Sequence, residues 1–432
     1  MRIVQITPGS GDNFYCENCL RDIALVKALH KLGHDVLMVP LYLPLQIDNA
    51  EPRAESPIFF GGINVYLQQK FALFRKTPRW VDRLLDSRRL LAWAGRKADM
   101  TSAKELGDAT ISMLRGEHGR QVKELDRLVD WLCASGQKPD IVCLSNVLLA
   151  GLAHRICERL HVPVVCLLQD EDGFLDGLAA PHAEQAWGIV RERARDIDAF
   201  LAVSKYFAEA MRGRLAVHED RMHVAYMGVN MDEYTPAESC PPVPTIGYLS
   251  RMCPNRGLET LVDAFIILKR ISRLASAKLR ICGGKSGTDE PFLERLTAKL
   301  TAAGVREDVE FLGAFDQSSR CEFLKSLSVL SVPEPQPVAY GLYVLEALAA
   351  GVPVVEPAIG SFPEMIAVTG GGVLYEPNTA QKLADTIEPL LLDPQAARRL
   401  GAEGRAGMLK AFSIEQTAAE MIRIYEQVSC KT

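Results

Sequence analysis

The sequence predicts an α/β protein made of two doubly wound, Rossmann-like domains. Three observations carry that expectation. Short apolar runs alternate with helical periodicity through most of the chain, the pattern of βαβ units and parallel sheets. The 432 residues exceed what one ordinary core organises. Four prolines crowd the aperiodic stretch Pro236–Pro244, where a connection between domains would fall.

Composition narrows the function classes. The chain is 48% hydrophobic and 24% charged, ordinary globular values that argue against disorder. Its net charge of −5, from 49 basic and 54 acidic residues, provides no general field for nucleic acid or anionic lipid. No nucleic-acid partner is expected, and membrane contact would be at most peripheral. No apolar run approaches the roughly 20 residues of a membrane span. The opening MRIVQITPGSG reads as a strand and turn rather than a secretory signal. Most of the eleven cysteines, Cys143, Cys157, Cys166 and Cys282 among them, sit in apolar patterns and read as reduced core residues of a cytoplasmic protein.

In chain order, Ile3–Thr7 reads as a buried strand and Pro8-Gly9-Ser10-Gly11 as the turn after it. Ile23, Leu25, Val26 and Leu29 mark a helix ending at Leu32-Gly33-His34, and a strand over 35–39 completes a βαβ unit. Gly9-x-Gly11 lacks the third glycine of a dinucleotide fingerprint, and the second strand ends in Pro40-Leu41-Tyr42 with no acid for an adenosine ribose. NAD is therefore disfavoured. Cys16-Glu17-Asn18-Cys19 has the spacing of a redox pair or of half a zinc site. No second couple of ligands accompanies it, so it reads as small residues packing at a helix entrance, and no metal is expected.

Gly61–Leu67 reads as a turn and strand. A helical insertion over about 79–133 follows from periodic Trp80, Leu84, Leu85, Leu91 and Trp93, then Leu114, Val122, Leu125, Leu128 and Trp131. Arg75, Lys76, Arg88, Arg89, Arg96 and Lys97 make this stretch basic, either as a solvated helix face or as an anion site. Strands over 140–144 and 164–168 flank a helix over 148–160. The second strand ends in Gln169-Asp170-Glu171-Asp172, where Asp170 is the candidate for hydroxyl recognition; a solvated, helix-capping loop is the plainer reading. His30, His34, His154 and His161 fall at helix ends or in turns and read as structural. A strand over 200–203 ends in Ser204, the cap of a helix over 205–214. Val224–Asn230 closes the first domain.

The second domain opens with a strand over 245–249, the loop Ser250-Arg251-Met252-Cys253-Pro254-Asn255-Arg256-Gly257 and a helix over 258–269. Arg256 stands at a helix start, where its charge opposes the dipole, and a cation so placed calls for an anionic ligand. A strand over 278–282 leads to Gly283-Gly284-Lys285, a loop where a nucleotide base would lie. After a strand over 309–313 and a helix over 317–327 comes the most informative stretch, SVLSVPEPQPVAYGLYVLEALAAGVPVVEPAIGSFPEM, from Ser328 to Met365. Val329–Val332 reads as a buried strand, and Gly341 opens a helix marked by Leu342, Leu345, Leu348 and Ala349. Gly351-Val352-Pro353 stops that helix and Val354-Val355 begins another strand. Ligands of open α/β sheets bind at the carboxyl ends of strands. Gly341 admits a close backbone approach, the helix behind it turns N–H groups toward an anion, and Glu346, one turn further in, suits ribose hydroxyls. Gly370-Gly371-Gly372 precedes helices over 379–391, 394–409 and 414–428.

YGLYVLEALAAGVPVV, followed by GSFPEM, resembles the C-terminal signature of the family 4 retaining glycosyltransferases. The resemblance extends from Arg2 to about Gly407 and is weakest between about Gly62 and Ser135. It implies the GT-B architecture, two facing Rossmann-like domains with an interdomain cleft. The acceptor domain would cover 1–236 and the nucleotide-sugar domain 243–410, with the helix 414–428 packing back onto the first. In that family the positions of Arg251 and Arg256 are usually Arg and Lys and hold the nucleotide diphosphate. Both arginines are thereby implied to stabilise the leaving group, a fork replacing a point charge at 256, with Asp170 as a catalytic-site candidate on the acceptor side. Gly9 and Gly11 would shape the loop under the donor phosphates and Gly283 the base loop. The amides around Tyr340, Gly341, Leu342 and Tyr343 would contact phosphate and sugar, and Glu346 the ribose.

The chain departs from the family in two places. The family pattern is Glu, seven residues, Glu; eight positions before Glu346 stands Val338, where the family's sugar-touching Glu would be, so an altered sugar site is implied. Many members carry histidines where this chain has Cys143, Ser145, Asn146 and Gln169-Asp170. The implied activity is transfer of a sugar from a nucleotide-diphosphate donor to an acceptor saccharide, lipid or small molecule, retaining configuration, without cofactor or metal. Two other readings stay open: a degenerate nucleotide-sugar-binding protein, suggested by Val338, and a sugar-nucleotide epimerase or hydrolase drawing its acid or base from Asp170–Asp172.

Overall fold

In the computed structural model the described residues are 1–8, 17–41, 59–60, 103–134, 138–313 and 317–430. Gly9, Gly11, Cys16, the basic stretch 75–97 and the first part of the expected insertion lie outside them. The chain divides into two compact units, Met1–Ala225 with Thr417–Thr432, and Tyr226–Gln416. Among the described residues no helix is long and apolar enough to cross a membrane.

The first unit is organised on a six-stranded parallel sheet, in the order β2-β1-β3-β4-β5-β6. Its strands are β1 (Arg2–Thr7), β2 (Asp35–Pro40), β3 (Ile141–Leu144), β4 (Val164–Leu168), β5 (Ala199–Ala202) and β6 (Met222–Val224). Helices cover the sheet, so β3, β4 and β5 are continuous buried runs rather than alternating ones. The second half of the expected insertion forms the helices Ala103–Leu114 and Val122–Cys133; Leu114, Leu125 and Leu128 are buried. The helix expected over 148–160 divides into a 3-10 segment, Val147–Leu152, and an α-helix, Ala153–Leu160. The cause is local: the Asn146 side chain accepts from Leu148 N at 3.1 Å and tightens the first turn. Cys143, Cys157, Cys166 and Cys282 are free thiols, and burial pushes Cys143, Cys157 and Cys282 up to about 12 and Cys166 higher still.

The second unit repeats the plan, with order β12-β11-β10-β7-β8-β9. The strands are β7 (Thr245–Leu249), β8 (Lys278–Cys282), β9 (Val309–Leu312), β10 (Val329–Leu330), β11 (Val354–Pro357) and β12 (Gly372–Tyr375). The strand expected over 329–332 stops at Leu330. Beyond it, Ser331 Oγ donates to Val355 O at 2.6 Å and Val332 N donates to the Glu356 carboxyl at 3.1 and 3.3 Å, so side chains take over from the ladder. Neither β12 nor the helix Phe362–Thr369 follows from the sequence reading. The segment expected as a connection, Pro236–Pro244, lies within this unit. Just before it, Val229 pairs with the chain around Ser413.

Candidate functional site

Each sheet reverses its strand order once. In the second unit the chain lays down β7, β8 and β9 to one side, then returns to set β10, β11 and β12 on the other. The loops after β7 and β10 therefore lie side by side at the carboxyl edge, the topological switch point where such sheets leave room for a ligand.

The loop after β7 carries both arginines. Tyr248, fully buried on β7, places its hydroxyl 3.0 Å from the carbonyl oxygens of Arg251 and Arg256, tying the loop down from inside. Burial, with the Glu334 charge nearby, pushes that hydroxyl well above its ordinary value and keeps it a donor. Arg251 donates from Nη2 to Asp289 Oδ2 and Ser286 Oγ, both at 3.0 Å. Ser286 and Asp289 also form a capping box just before the helix Glu290–Ala302, and the Ser286 hydrogen bonds, followed by those of Arg251, hold the Asp289 carboxyl down at about 2. Gly283 is required beside them, since a Cβ there would lie 1.9 Å from Ser250 O. Arg256 donates from Nη1 to Glu334 Oε1 at 3.0 Å. The side chains of Arg251 and Arg256 are 56% and 40% exposed, whereas their carboxylates are enclosed.

Behind this edge lies a buried acidic layer. Tyr343 Oη donates to Glu334 Oε1 at 3.3 Å, and Asn378 Nδ2 to the Glu334 carbonyl at 2.8 Å. Glu356 is fully buried, and burial, with Glu334 adding its charge, drives its carboxyl far above the ordinary range. Gly341, in extended conformation, caps the helix Leu342–Ala349, whose first-turn amides at Leu342 and Tyr343 point out of its N-terminus. Tyr340 and Leu342 are half-buried; Val338 is buried, its carbonyl accepting from Ser361 N at 3.2 Å. Glu346 is also buried. Its Oε1 accepts from Arg320 Nη1 at 2.6 Å and from Tyr234 Oη at 2.8 Å. Sequence reasoning missed both partners, because a lone Arg on one helix and a Tyr 112 positions away leave no local mark.

In the first unit, Asp170 stands at the carboxyl end of β4 with left-handed φ of 76°. The acid that turns inward is its neighbour. Glu171 accepts from Gln169 N at 2.6 Å and Val147 N at 3.2 Å, and burial pushes its carboxyl up to about 7. Gln169 Nε2 donates to Ser145 O at 2.6 Å, joining the ends of β3 and β4. Among the described residues no group of three or more His, Cys, Asp or Glu could hold a metal ion. A cavity of about 230 Å³ lies at the opposite ends of β10 and β11, lined by Pro236, Cys240, Ser328, Pro353 and Arg405, and takes no part in this edge.

Two family models match the chain: Glycosyl transferases group 1 over residues 239–407, and Glycosyltransferase Family 4 over residues 23–233. The chain is 26% identical to MMP alpha-(1->4)-mannosyltransferase of Mycolicibacterium hassiacum over 294 residues, 67% of this chain and 69% of that protein. It is 28% identical to alpha-maltose-1-phosphate synthase of Mycolicibacterium smegmatis, over 66% of this chain and 78% of that protein. Among solved structures it resembles sucrose-phosphate synthase from Thermosynechococcus elongatus, with TM-score 0.71 at 18% identity and full coverage of both chains. It also resembles Anabaena HepE in complex with UDP and glucose, with TM-score 0.67 at 15% identity over 99% of this chain and 100% of that one.

Proposed function

The chain belongs to the family 4, group 1 glycosyltransferases of the GT-B fold, and from that premise we propose that it moves a sugar from a nucleoside diphosphate to an acceptor hydroxyl with retention of configuration. The observation that carries the donor assignment is the pair of half-exposed guanidiniums, Arg251 and Arg256, on the loop at the switch point of the second sheet. As the bond from the anomeric carbon to the diphosphate breaks, these two donors meet the charge growing on the leaving oxygen. That oxygen takes the acceptor's proton on the same face, so no side-chain base is needed. Glu346 orients the ribose through Oε2, its Oε1 being committed to Arg320 and Tyr234. Asp170 accepts from an acceptor hydroxyl, and the acceptor is a saccharide, a lipid or a small molecule.

Support for the donor class comes from HepE, solved with UDP and with UDP-glucose, and from relatives named as GDP-mannose-dependent mannosyltransferases. The test is stabilisation by UDP and GDP in a thermal-shift series, then release of diphosphate from their sugars with and without candidate acceptors. Release that depends on an acceptor is the expected result. Release without one means a hydrolase, and stabilisation with no release from any donor means a binding protein; either overturns the proposal.

A further inference from the structure

The loops after β7 and β10 touch at a single crowded point. Gly257 has φ of 68°, and a Cβ on it would lie 1.9 Å from Pro333 O, so only glycine lets the two backbones meet there. That approach sets Arg256, the residue before Gly257, beside Glu334, the residue after Pro333, and Arg256 Nη1 reaches Glu334 Oε1. The two ends of this ion pair are unlike. Glu334 is 2% exposed, fixed through its carbonyl by Asn378 and through its carboxylate by Tyr343, while the Arg256 side chain is 40% exposed. Glu356 lies behind it, with no ion pair among the described residues, and Val332 N donates to both of its oxygens.

A guanidinium spreads five N–H donors over three nitrogens in a rigid plane, so a carboxylate holding one edge leaves other edges to present to a phosphate. An ammonium carries its three donors around one tetrahedral nitrogen, so held against a buried carboxylate it has no second planar edge with which to grip a phosphate in the forked manner of a guanidinium. From this geometry we infer that Glu334 is the positioning residue that fixes Arg256 against the donor diphosphate and makes the site demand a guanidinium at position 256. The inference rests on the reading that Arg256 holds the diphosphate. Glu334 also sits as a fixed negative charge behind the phosphate subsite, so the cation between the two must serve both at once.

Four proteins test this: the parent, Arg256→Lys, Glu334→Gln and the double variant, each titrated with UDP and GDP by calorimetry. In the parent background Arg256→Lys should weaken binding about tenfold or more; in the Glu334→Gln background the same change should cost less than about threefold, because the lysine charge is returned to the phosphate. A purely structural role for Glu334 would shift unfolding without moving this ratio. Equal factors in the two backgrounds overturn the inference. Should Glu334→Gln not fold, Glu334→Ser completes the same cycle with the same two outcomes. Arg256→Ala separates the layers of the argument. If it leaves UDP and GDP binding unchanged, the diphosphate reading itself fails; if it weakens binding while the cycle is additive, only the role of Glu334 fails.

Discussion

Replacing Glu171 by Gln removes one ionisable group from beneath the carboxyl edge of the first sheet. The folded protein raises this carboxyl from 4.5 to about 7, chiefly by burial, which outweighs the hydrogen bonds from the Gln169 and Val147 amides. The folded state therefore holds the proton more tightly than the unfolded chain. Between these two values it binds more protons, and stability falls as pH rises. The contribution is fully present below about 4.5 and is lost as pH rises through about 7. The gap corresponds to about 3 kcal/mol. Trp131 and Trp187, the tryptophans among the described residues, belong to the first unit, so their fluorescence during urea unfolding reports on that unit. The parent should lose stability from pH 5 to pH 8 by an amount of this order, and Glu171→Gln should lose much less. Parallel pH curves for the two proteins would refute the reasoning.

The other predictions concern the second unit. Arg320→Met leaves the Glu346 carboxylate buried without its cation and should cost about 3–5 kcal/mol, read by circular dichroism on melting; an unchanged midpoint counts against the pair. Arg251→Ala and Arg256→Ala should each weaken UDP or GDP binding by about 1.5–3 kcal/mol while leaving nucleoside affinity nearly constant. Gly257→Ala should disturb the same loop, lowering diphosphate affinity along with thermal stability, because its Cβ has no room beside Pro333. Val338→Glu should shift preference toward a donor with one more hydroxyl by about 1–3 kcal/mol, measured with paired donors that share a nucleotide.

Much of the fold was legible because buried parallel strands are short apolar runs, as Ile141–Leu144 and Val164–Leu168 are. β12 escaped because three glycines precede Val373 and Leu374 and read as loop. Arg251 and Arg256 stood out by their place in the chain, but their partners did not. Glu334 lies 78 positions from Arg256, and nothing local reveals a pairing made by backbone contact at Gly257. The run Gln169-Asp170-Glu171-Asp172 was visible as acids, yet sequence does not say which of them turns inward. The left-handed backbone at Asp170 settles that for Glu171.

The chain leaves the first unit after Ala225 and rejoins it at Thr417, so the second unit is an insertion within the first. Synthesis runs from the N-terminus, and domains generally close as their residues emerge. Tyr226–Gln416 is therefore complete while the first unit still lacks Ala418, Met421, Ile424 and Tyr425, all buried there in the finished protein. The half of the molecule that starts first finishes last, with the apolar surface meant for these residues exposed until the final turns are made. A chain stopped after Gln416 would carry a complete second unit joined to a first unit that cannot close, and its failure would show as aggregation.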